Sequence, residues 1–478
     1  MIQVNSEIGN LQRLIIHSPD SGLGKVVPSK AQDWLFEDIV QLDKMRKEEY
    51  DVYVKLLLYF LDKEKVAGKL HTIDAPEQNR SFYKPDHADY FASDKVLDTQ
   101  YMLAHILKEE YIRREIVASI SALERCTYAQ QKMLLDLSQN ELAKTLISGS
   151  LPNQLIFAPL PNFIFTRDLG IVINNHLLMN KPAKTPRLRE SFLAKYIFHH
   201  HPVFESVRNN IIELDDVPDF FLLEDAEKEN QKVTVEGGDV MMVAPNHLLI
   251  GISERTSINA VSKIITTLFD KKIVEKVTTI RIPAKRDFMH IDTIFTQVRR
   301  DMWVVYGKFG KPSNKEINTI WQQHLQKKIA QKPPLEILQF CVYDSPEKPE
   351  RFTYLEELLD NISREDLKSS TPTQFVYSGG NEFPYSQREQ WTDACNVLAL
   401  KEGVVIGYDR NKFTARSFQE KGFRVVGAMD LLQEMETGIT SPETIQNTLI
   451  ELPSAELSRA RGGSHCMSMP LLRSNITY

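Results

Sequence analysis

Residues 232–282 read KVTVEGGDVMMVAPNHLLIGISERTSINAVSKIITTLFDKKIVEKVTTIRI. The apolar runs at 232–252 and 277–282 have the length and composition of buried strands. Between them, residues 256–268 carry apolar side chains at helical spacing. The stretch therefore predicts strands joined by a helix, the unit from which mixed α/β folds are built.

The same alternation of short strands and helices continues along most of the chain. We predict further strands at 11–17, 154–158, 170–180, 292–308, 335–343, 373–377, 403–409 and 423–427, with a last strand at Cys466. We predict further helices at 32–64 and near 187–199, 313–326, 354–361, 412–420 and 443–450. Segments 205–231 and 343–370 are polar and are predicted to lie on the surface. This pattern indicates an α/β or α+β architecture.

One segment differs in character from the rest. Residues 96–148 contain no proline and are rich in Leu, Glu, Lys and Ala, with few strand signals. This composition is typical of helices. We therefore predict a helical insertion at 86–149 within a catalytic domain formed by 1–85 and 150–478.

The composition narrows the class of protein. The chain has 478 residues, of which 42% are hydrophobic and 26% charged, with a formal net charge of −6. These values are typical of a globular protein and do not favour a nucleic-acid partner. We see neither a signal peptide nor an apolar run long enough to span a membrane, which predicts a cytoplasmic protein. The expected partner is a small-molecule substrate, and a homo-oligomer remains open.

The four cysteines are widely spaced, so neither a disulfide scaffold nor a structural zinc site is expected. Cys466 stands out because it lies in the segment R-G-G-S-H-C-M-S-M-P at 461–470. The glycine pair allows a tight bend that exposes the thiol. Arg461 and His465 provide positive charge that favours the thiolate, the nucleophilic form of cysteine.

Three further motifs carry acidic groups or a histidine. Asp168 ends P-N-F-I-F-T-R-D at 161–168, which we interpret as a strand, and Glu236 begins E-G-G-D. His290 and Asp292 lie in F-M-H-I-D-T-I-F, where strand alternation would place them on one face. Each motif alone also fits a structural role, such as a turn cap or a buried histidine bonded to its neighbour. The H-x-D spacing also suits a metal.

Arg187 and Arg255 are either surface charges or clamps for an anion. Taken together, the motifs describe an acidic site with one nucleophile and one proton shuttle. Such a site is suited to attack on a cation.

These motifs, in this order, resemble the arginine deiminase family. The matching segments are N-F-I-F-T-R-D at 162–168, E-G-G-D at 236–239, I-S-E-R-T at 252–256, M-H-I-D-T at 289–293, R-E-Q-W at 388–391 and C-M-S-M-P at 466–470. The resemblance implies a five-bladed propeller of ββαβ units, the pentein fold, with an inserted helical bundle. It also implies hydrolysis of L-arginine to citrulline and ammonia, with no metal and no organic cofactor.

The resemblance assigns a role to each site residue. Cys466 would be the nucleophile and His290 the general acid and base. Glu236 would orient His290 and contact the guanidinium, whose nitrogens Asp168 and Asp292 would hold. The implied substrate-binding residues are Arg187 and Arg255 for the carboxylate, Asn162 for the α-amino end, and Arg461 near the nucleophile.

Other functions remain open from the sequence alone. The same scaffold could transfer an amidino group to an amine, or hydrolyse a modified arginine. A catalytically silent arginine-binding protein and a metallohydrolase are the alternatives from other classes.

Overall fold

The computed structural model describes residues 1–36, 38–151, 154–310, 335–343 and 348–476. The strands are Leu11–Ile16 (β1), Val96–Asp98 (β2), Ser150–Leu151 (β3), Gln154–Leu155 (β4), Gly170–Ile173 (β5), His176–Met179 (β6), Ile211–Ile212 (β7), Val240–Ala244 (β8), His247–Ile252 (β9), Lys276–Arg281 (β10), Phe295–Arg299 (β11), Met302–Val305 (β12), Glu336–Cys341 (β13), Glu350–Phe352 (β14), Gln374–Tyr377 (β15), Leu398–Lys401 (β16), Val404–Tyr408 (β17), Arg424–Gly427 (β18), Thr448–Leu452 (β19) and Met469–Arg473 (β20).

Helices of varied length connect and cover these strands. The α-helices are Leu42–Lys44 (α1), Asp51–Leu61 (α2), Leu70–Ile73 (α3), Thr99–Ile106 (α4), Glu110–Leu123 (α5), Tyr128–Asp136 (α6), Gln139–Ser148 (α7), Leu188–His200 (α8), Asp225–Gln231 (α9), Ile258–Asp270 (α10), Leu355–Asn361 (α11), Tyr385–Trp391 (α12), Lys412–Glu420 (α13) and Ala428–Glu436 (α14). A π-helix at Met45–Tyr50 leads directly into α2.

The strands form several separate sheets. Those with three or more strands have the orders β2-β1-β20, β5-β6-β7, β14-β13-β10-β9-β8, β11-β12-β15 and β16-β17-β19-β18. Strands β9 and β10 run parallel and are joined through α10, which confirms the predicted strand–helix–strand unit. Parallel neighbours require such a crossover, whereas the antiparallel pair β8–β9 needs only a tight turn. The fold is therefore mixed α/β with several sheets.

Helices α4 to α7 lie within residues 96–148, the segment predicted to be helical. Their buried side chains, such as Ile116 and Leu142, share one apolar cluster with Ile171 of β5 and Leu178 of β6. Burying an aliphatic side chain of this size contributes about 1.5–3 kcal/mol. Strand β2, which also lies in 86–149, pairs with β1. The boundaries of the insertion stay a prediction.

The structure corrects several local predictions. The last strand begins at Met469, so Cys466 lies in the turn before it and not in the strand. Residues 161–168 form 3₁₀ turns at Pro161–Ile164 and Thr166–Leu169 instead of a strand. Ile291–Thr293 is also a 3₁₀ turn, so strand alternation does not relate His290 to Asp292. The helix predicted near 443–450 is replaced at its end by β19, whose β-branched residues favour a strand. The helix predicted near 313–326 lies outside the described residues.

The two ends of the chain meet in one sheet. Strand β1 pairs antiparallel with β20, and the segment before β1 adds a bridge between Gln3 and Leu472. This sheet brings the turn that carries Cys466 next to the N-terminal segment. Within the described ranges, no helix is both long and apolar enough to cross a membrane.

Candidate active site

A cavity of about 330 Å³ collects most of the predicted site residues. Its volume is within the range of small-molecule sites. The predicted residues that line it are Asn162, Asp168, Arg187, Glu236, Arg255, His290, Arg461 and Cys466. Asp292 is fully buried and is not part of this lining.

Each functional group is held on a tight turn just before a strand. Asp168 precedes β5, Glu236 precedes β8, His290 precedes β11 and Cys466 precedes β20. These four strands belong to four different sheets. The turns that precede them therefore converge on the cavity. Gly238 allows the backbone to pass close to the His290 ring, because a Cβ at this position would lie only 2.4 Å from His290 Nδ1.

His290 and Glu236 form a buried pair. His290 Nε2 lies 3.0 Å from Glu236 Oε2, and both side chains are almost completely enclosed. Burial alone would lower the pKa of His290, but the charge of Asp168 and the hydrogen bond to Glu236 raise it to about 10. The imidazole is therefore protonated at neutral pH and can act as a general acid.

Asp168 is bonded on both carboxylate oxygens. Its Oδ1 accepts from the Gly238 amide at 3.2 Å, and its Oδ2 accepts from Arg187 Nη1 at 2.7 Å. Arg187 Nη1 also donates to Glu236 at 3.2 Å, while its Nε donates to Glu190 at 2.9 Å. Arg187 is thus held by the acidic groups of the site itself.

The thiol of Cys466 faces carboxylates. Its Sγ lies 3.3 Å from Asp292 Oδ2, and its backbone amide donates to Asn396 Oδ1 at 3.0 Å. Burial, together with the negative charges of Asp292, Asp168 and Asp393, raises the pKa of the thiol well above its ordinary value. A bound cation would offset these charges and favour the thiolate.

Asp292 lies beneath the thiol. Its Oδ2 is 3.0 Å from His465 Nδ1 as well as close to Cys466 Sγ. Burial would raise the pKa of Asp292, but the hydrogen bond and charge of His465 lower it below its ordinary value. The carboxylate is therefore ionised beside the Cys466 thiol.

The remaining predicted residues also line the cavity, and each makes a different contact. Arg255 is near Glu236, with a shortest nitrogen–oxygen distance of 3.7 Å, and Asn162 donates to the Trp34 carbonyl at 2.9 Å. Arg461 places its guanidinium carbon 3.5 Å from the centre of the Trp391 ring. Arg461 also has a left-handed backbone, with φ of 61°, which turns the chain toward the glycine pair.

Four buried polar residues around the site were not singled out from the sequence. Asp239 accepts from the Ile291 amide and from Ser253, which ties two site turns together. Its position in the E-G-G-D motif was an available signal. Asn396 and Glu7 gave no signal of a site role, because they act through contacts distant in sequence. Glu190 contacts Arg187, three residues before it, and was not recognised as its partner.

Asp168, Glu236 and His290 have donor atoms within 4.8 Å of one another, a spacing that could hold a metal ion. These atoms already make other bonds, however. Glu236 pairs with His290, and Asp168 pairs with Arg187. These ion pairs explain why the three side chains lie close together: each group is oriented by a charged neighbour.

Comparison with known sequences gives a consistent picture. The sequence model of the arginine deiminase family matches residues 104–473. The arginine deiminase of Treponema denticola is 28% identical over 492 residues, covering 100% of this chain and 99% of the relative. That of Clostridium perfringens is 29% identical over 491 residues, covering 99% and 98%.

Solved structures are more distant. An amidinotransferase from Microseira wollei aligns with a TM-score of 0.48 at 12% identity, covering 99% of this chain and 98% of its own. The N-terminal domain of a cyanobacterial arginine dihydrolase aligns with a TM-score of 0.36 at 15% identity, covering 66% and 76%. The family match therefore decides the assignment: the chain belongs to the arginine deiminase family.

Proposed function

We propose that this protein hydrolyses L-arginine to L-citrulline and ammonia through a covalent intermediate on Cys466. The observation that carries the proposal is the convergence of Cys466, His290, Asp168 and Glu236 on one cavity. Full-length similarity to arginine deiminases supports the same substrate. The acidic lining suits a guanidinium, which is planar and remains charged at any physiological pH.

In the first half of the reaction, carboxylates hold the guanidinium so that its carbon faces the thiol. We assign this role to Asp168 and Asp292, with Glu236 contacting the guanidinium and orienting His290. Without substrate, the raised pKa of Cys466 keeps the thiol protonated. The positive charge of the substrate lowers this pKa and favours the thiolate. The thiolate then adds to the guanidinium carbon and forms a C–S bond in a tetrahedral adduct.

Departure of ammonia requires a proton, which His290 supplies from its imidazolium. The C–N bond breaks and leaves an S-alkylthiouronium on Cys466. The neutral His290 next accepts a proton from water as that water adds to the same carbon. The C–S bond then breaks as the hydroxyl group of this second adduct loses its proton to solvent, which releases citrulline and the thiolate and leaves His290 protonated for the next cycle.

We assign the other end of the substrate to the remaining polar lining. Arg187 and Arg255 are proposed to bind the substrate carboxylate, Asn162 its α-amino group, and Arg461 the region next to the nucleophile. All four line the same cavity as Cys466. A substrate with a free carboxylate is favoured by the two arginines, since bidentate pairing with guanidinium is strong.

We further propose that the sheets are the blades of a five-bladed ββαβ propeller. Support comes from the turns that precede strands, since four of the five sheets each contribute one to the cavity. The remaining sheet, β16-β17-β19-β18, is also connected to the site, because Asn396 lies just before β16 and accepts from the Cys466 amide. The helical insertion is proposed to span 86–149, between catalytic segments 1–85 and 150–478. We propose a cytoplasmic location, consistent with four free cysteines. A homo-oligomer stays a prediction.

The direct test is incubation of the purified protein with L-arginine and no added amine, followed by measurement of citrulline and ammonia. We expect the two products in equal amounts and none from Cys466→Ala. Mass spectrometry of an acid-quenched reaction should show an adduct on the peptide that contains Cys466.

Two results would contradict the proposal. Product formation only after addition of an amine acceptor would assign amidino transfer. Calorimetric binding of arginine without turnover would assign a binding protein.

A further inference from the structure

A chain of buried polar groups runs from the nucleophile to the N-terminal segment. Cys466 Sγ contacts Asp292 Oδ2 at 3.3 Å, and the same oxygen lies 3.0 Å from His465 Nδ1. His465 Nε2 is 3.3 Å from Glu7 Oε2. Glu7 in turn accepts from both terminal nitrogens of Arg167, each at 3.4 Å. We call the three groups Asp292, His465 and Glu7 the carboxylate–histidine relay.

The proton count of the relay follows from its geometry. A neutral imidazole has one N–H, whereas His465 faces a carboxylate oxygen on each ring nitrogen. Two ionised carboxylates therefore require both nitrogens to donate. Burial would raise the pKa of Glu7, but the Arg167 guanidinium and the His465 hydrogen bond hold it well below its ordinary value. With Asp292 ionised as well, both ring nitrogens of His465 face ionised carboxylates.

The relay also leaves one oxygen of Asp292 unused. Its Oδ2 is shared by His465 and the thiol, while Oδ1 is buried and has no hydrogen-bond partner among the described residues. A buried carboxylate oxygen without a partner is costly. An incoming guanidinium N–H could satisfy it, provided the carboxylate keeps its orientation.

We propose that Glu7 is a positioning residue for catalysis. It holds His465 in its doubly protonated form, so that the other ring N–H fixes the Asp292 carboxylate beneath the thiol of Cys466. The relay places a permanent cation one residue from the nucleophile and keeps Oδ1 of Asp292 available. For its activity readout, the inference rests on the proposed arginine hydrolysis, whereas thiol reactivity tests it without turnover.

Other charges surround the relay and must be included in any pH argument. The positively charged groups nearby are Arg167, Arg473 and His290, and the acidic ones beside the thiol are Asp168 and Asp393. Removing the charge of Glu7 alone would leave Arg167 and Arg473 less neutralised, which would lower the pKa of the thiol. Loss of the nearer imidazolium charge would raise it. The sign of the shift therefore reports the protonation of His465.

The test is the pH dependence of Cys466 alkylation by iodoacetamide in Glu7→Gln, which keeps the shape of the side chain. Alkylation at Cys466 is read by peptide mass spectrometry. We expect the midpoint to move upward by roughly one pH unit. We also expect kcat to fall about tenfold with little change in KM, since the effect is on the reacting group. His465→Asn, which keeps a donor for Asp292 but carries no charge, should give the same upward shift.

The double variant and a matched control complete the design. In the His465→Asn background, Glu7→Gln should give no further upward shift, because its upward effect passes through His465. Only the downward shift from removal of the Glu7 charge should remain. Asp366→Asn is the control, since Asp366 is a carboxylate bonded to His247 at 2.8 Å outside the cavity lining. It should lower thermal stability without moving the alkylation midpoint. An unchanged or lowered midpoint in Glu7→Gln, or a further upward shift in the double variant, overturns the proposal.

Discussion

Arg187 Nη1 lies 2.7 Å from Asp168 Oδ2, so a guanidinium of the protein is bonded to a carboxylate proposed to hold the guanidinium of the substrate. A carboxylate has about four acceptor positions. Asp168 can therefore bind both groups at once, and Arg187 fixes the orientation in which it does so. This arrangement makes Arg187 part of the proposed guanidinium site as well as a candidate for the substrate carboxylate.

Replacement of Arg187 by Lys should therefore harm more than one function. Lysine keeps the charge but cannot bond Asp168, Glu236 and Glu190 in the fixed geometry of a guanidinium. We expect kcat/KM to fall at least about a hundredfold, because both substrate ends are affected. Steady-state kinetics would measure this fall.

Arg187→Met removes the charge of the side chain but keeps an unbranched chain in its place. Removal of one partner from a buried ion pair costs about 3–5 kcal/mol, so this variant should also be markedly less stable. Denaturant unfolding would measure the loss. A variant with wild-type kinetics would show that Arg187 acts only in stability.

His290 should make stability depend on pH. Its pKa is raised from 6.5 to about 10 in the folded protein. Its stabilising contribution is then complete below pH 6.5 and is lost as the pH rises toward 10. We expect the Tm of Cys466→Ala to fall over this window, and the fall to be smaller in Cys466→Ala combined with His290→Gln. Equal slopes in the two proteins would contradict the raised pKa.

Activity offers a second check on the same residue. His290→Gln in the otherwise unchanged enzyme should lower kcat by about 10²–10⁴-fold, the range typical of a lost general acid and base. Stopped assays of citrulline would measure the residual rate.

Asp168 should have opposite effects on the thiol and on substrate binding. Asp168→Asn removes one of the negative charges that raise the pKa of Cys466. We expect alkylation of Cys466 in the free enzyme to begin at a pH roughly one unit lower. Arginine binding to the same variant, measured by calorimetry in a Cys466→Ala background, should be weaker. An unchanged alkylation profile would show that the charge of Asp168 does not contribute to the raised pKa of the thiol.

Trp391 should report on Arg461. The guanidinium carbon of Arg461 lies 3.5 Å from the ring centre, and such contacts are worth about 0.5–2 kcal/mol. If arginine draws Arg461 toward the cavity, tryptophan fluorescence of Cys466→Ala should change on titration. The change should disappear when Trp391→Phe is added. A signal that persists without Trp391 would assign it to another tryptophan.

Much of the strand and helix pattern was accessible from the sequence because it depends on local periodicity. The unit at 232–282 and helix α13, which spans the predicted 412–420, are examples. Residues 161–168 were misread because alternating aromatic and polar side chains also fit consecutive 3₁₀ turns. There, Asn162 to Ile164 all face inward, so alternation of side chains did not reflect alternation of burial.

The site was accessible where a motif was compact. Cys466, Glu236 and His290 each lie in a short, unusual segment, and the structure brings all three to one cavity. The position of Asp292 beneath the thiol was not accessible, because it depends on a 3₁₀ turn read as a strand. Glu7 was invisible for a different reason. Its partner His465 is 458 positions away, and no local pattern encodes that contact.

The pairing of β1 with β20 also constrains when the site can form. During synthesis, the segment that carries Glu7 leaves the ribosome long before the one that carries Cys466 and β20. Contacts between such distant segments close late in folding, since the intervening chain must first be ordered. A partly synthesised chain therefore lacks the assembled cavity around Cys466, and completion of the site should coincide with docking of β20.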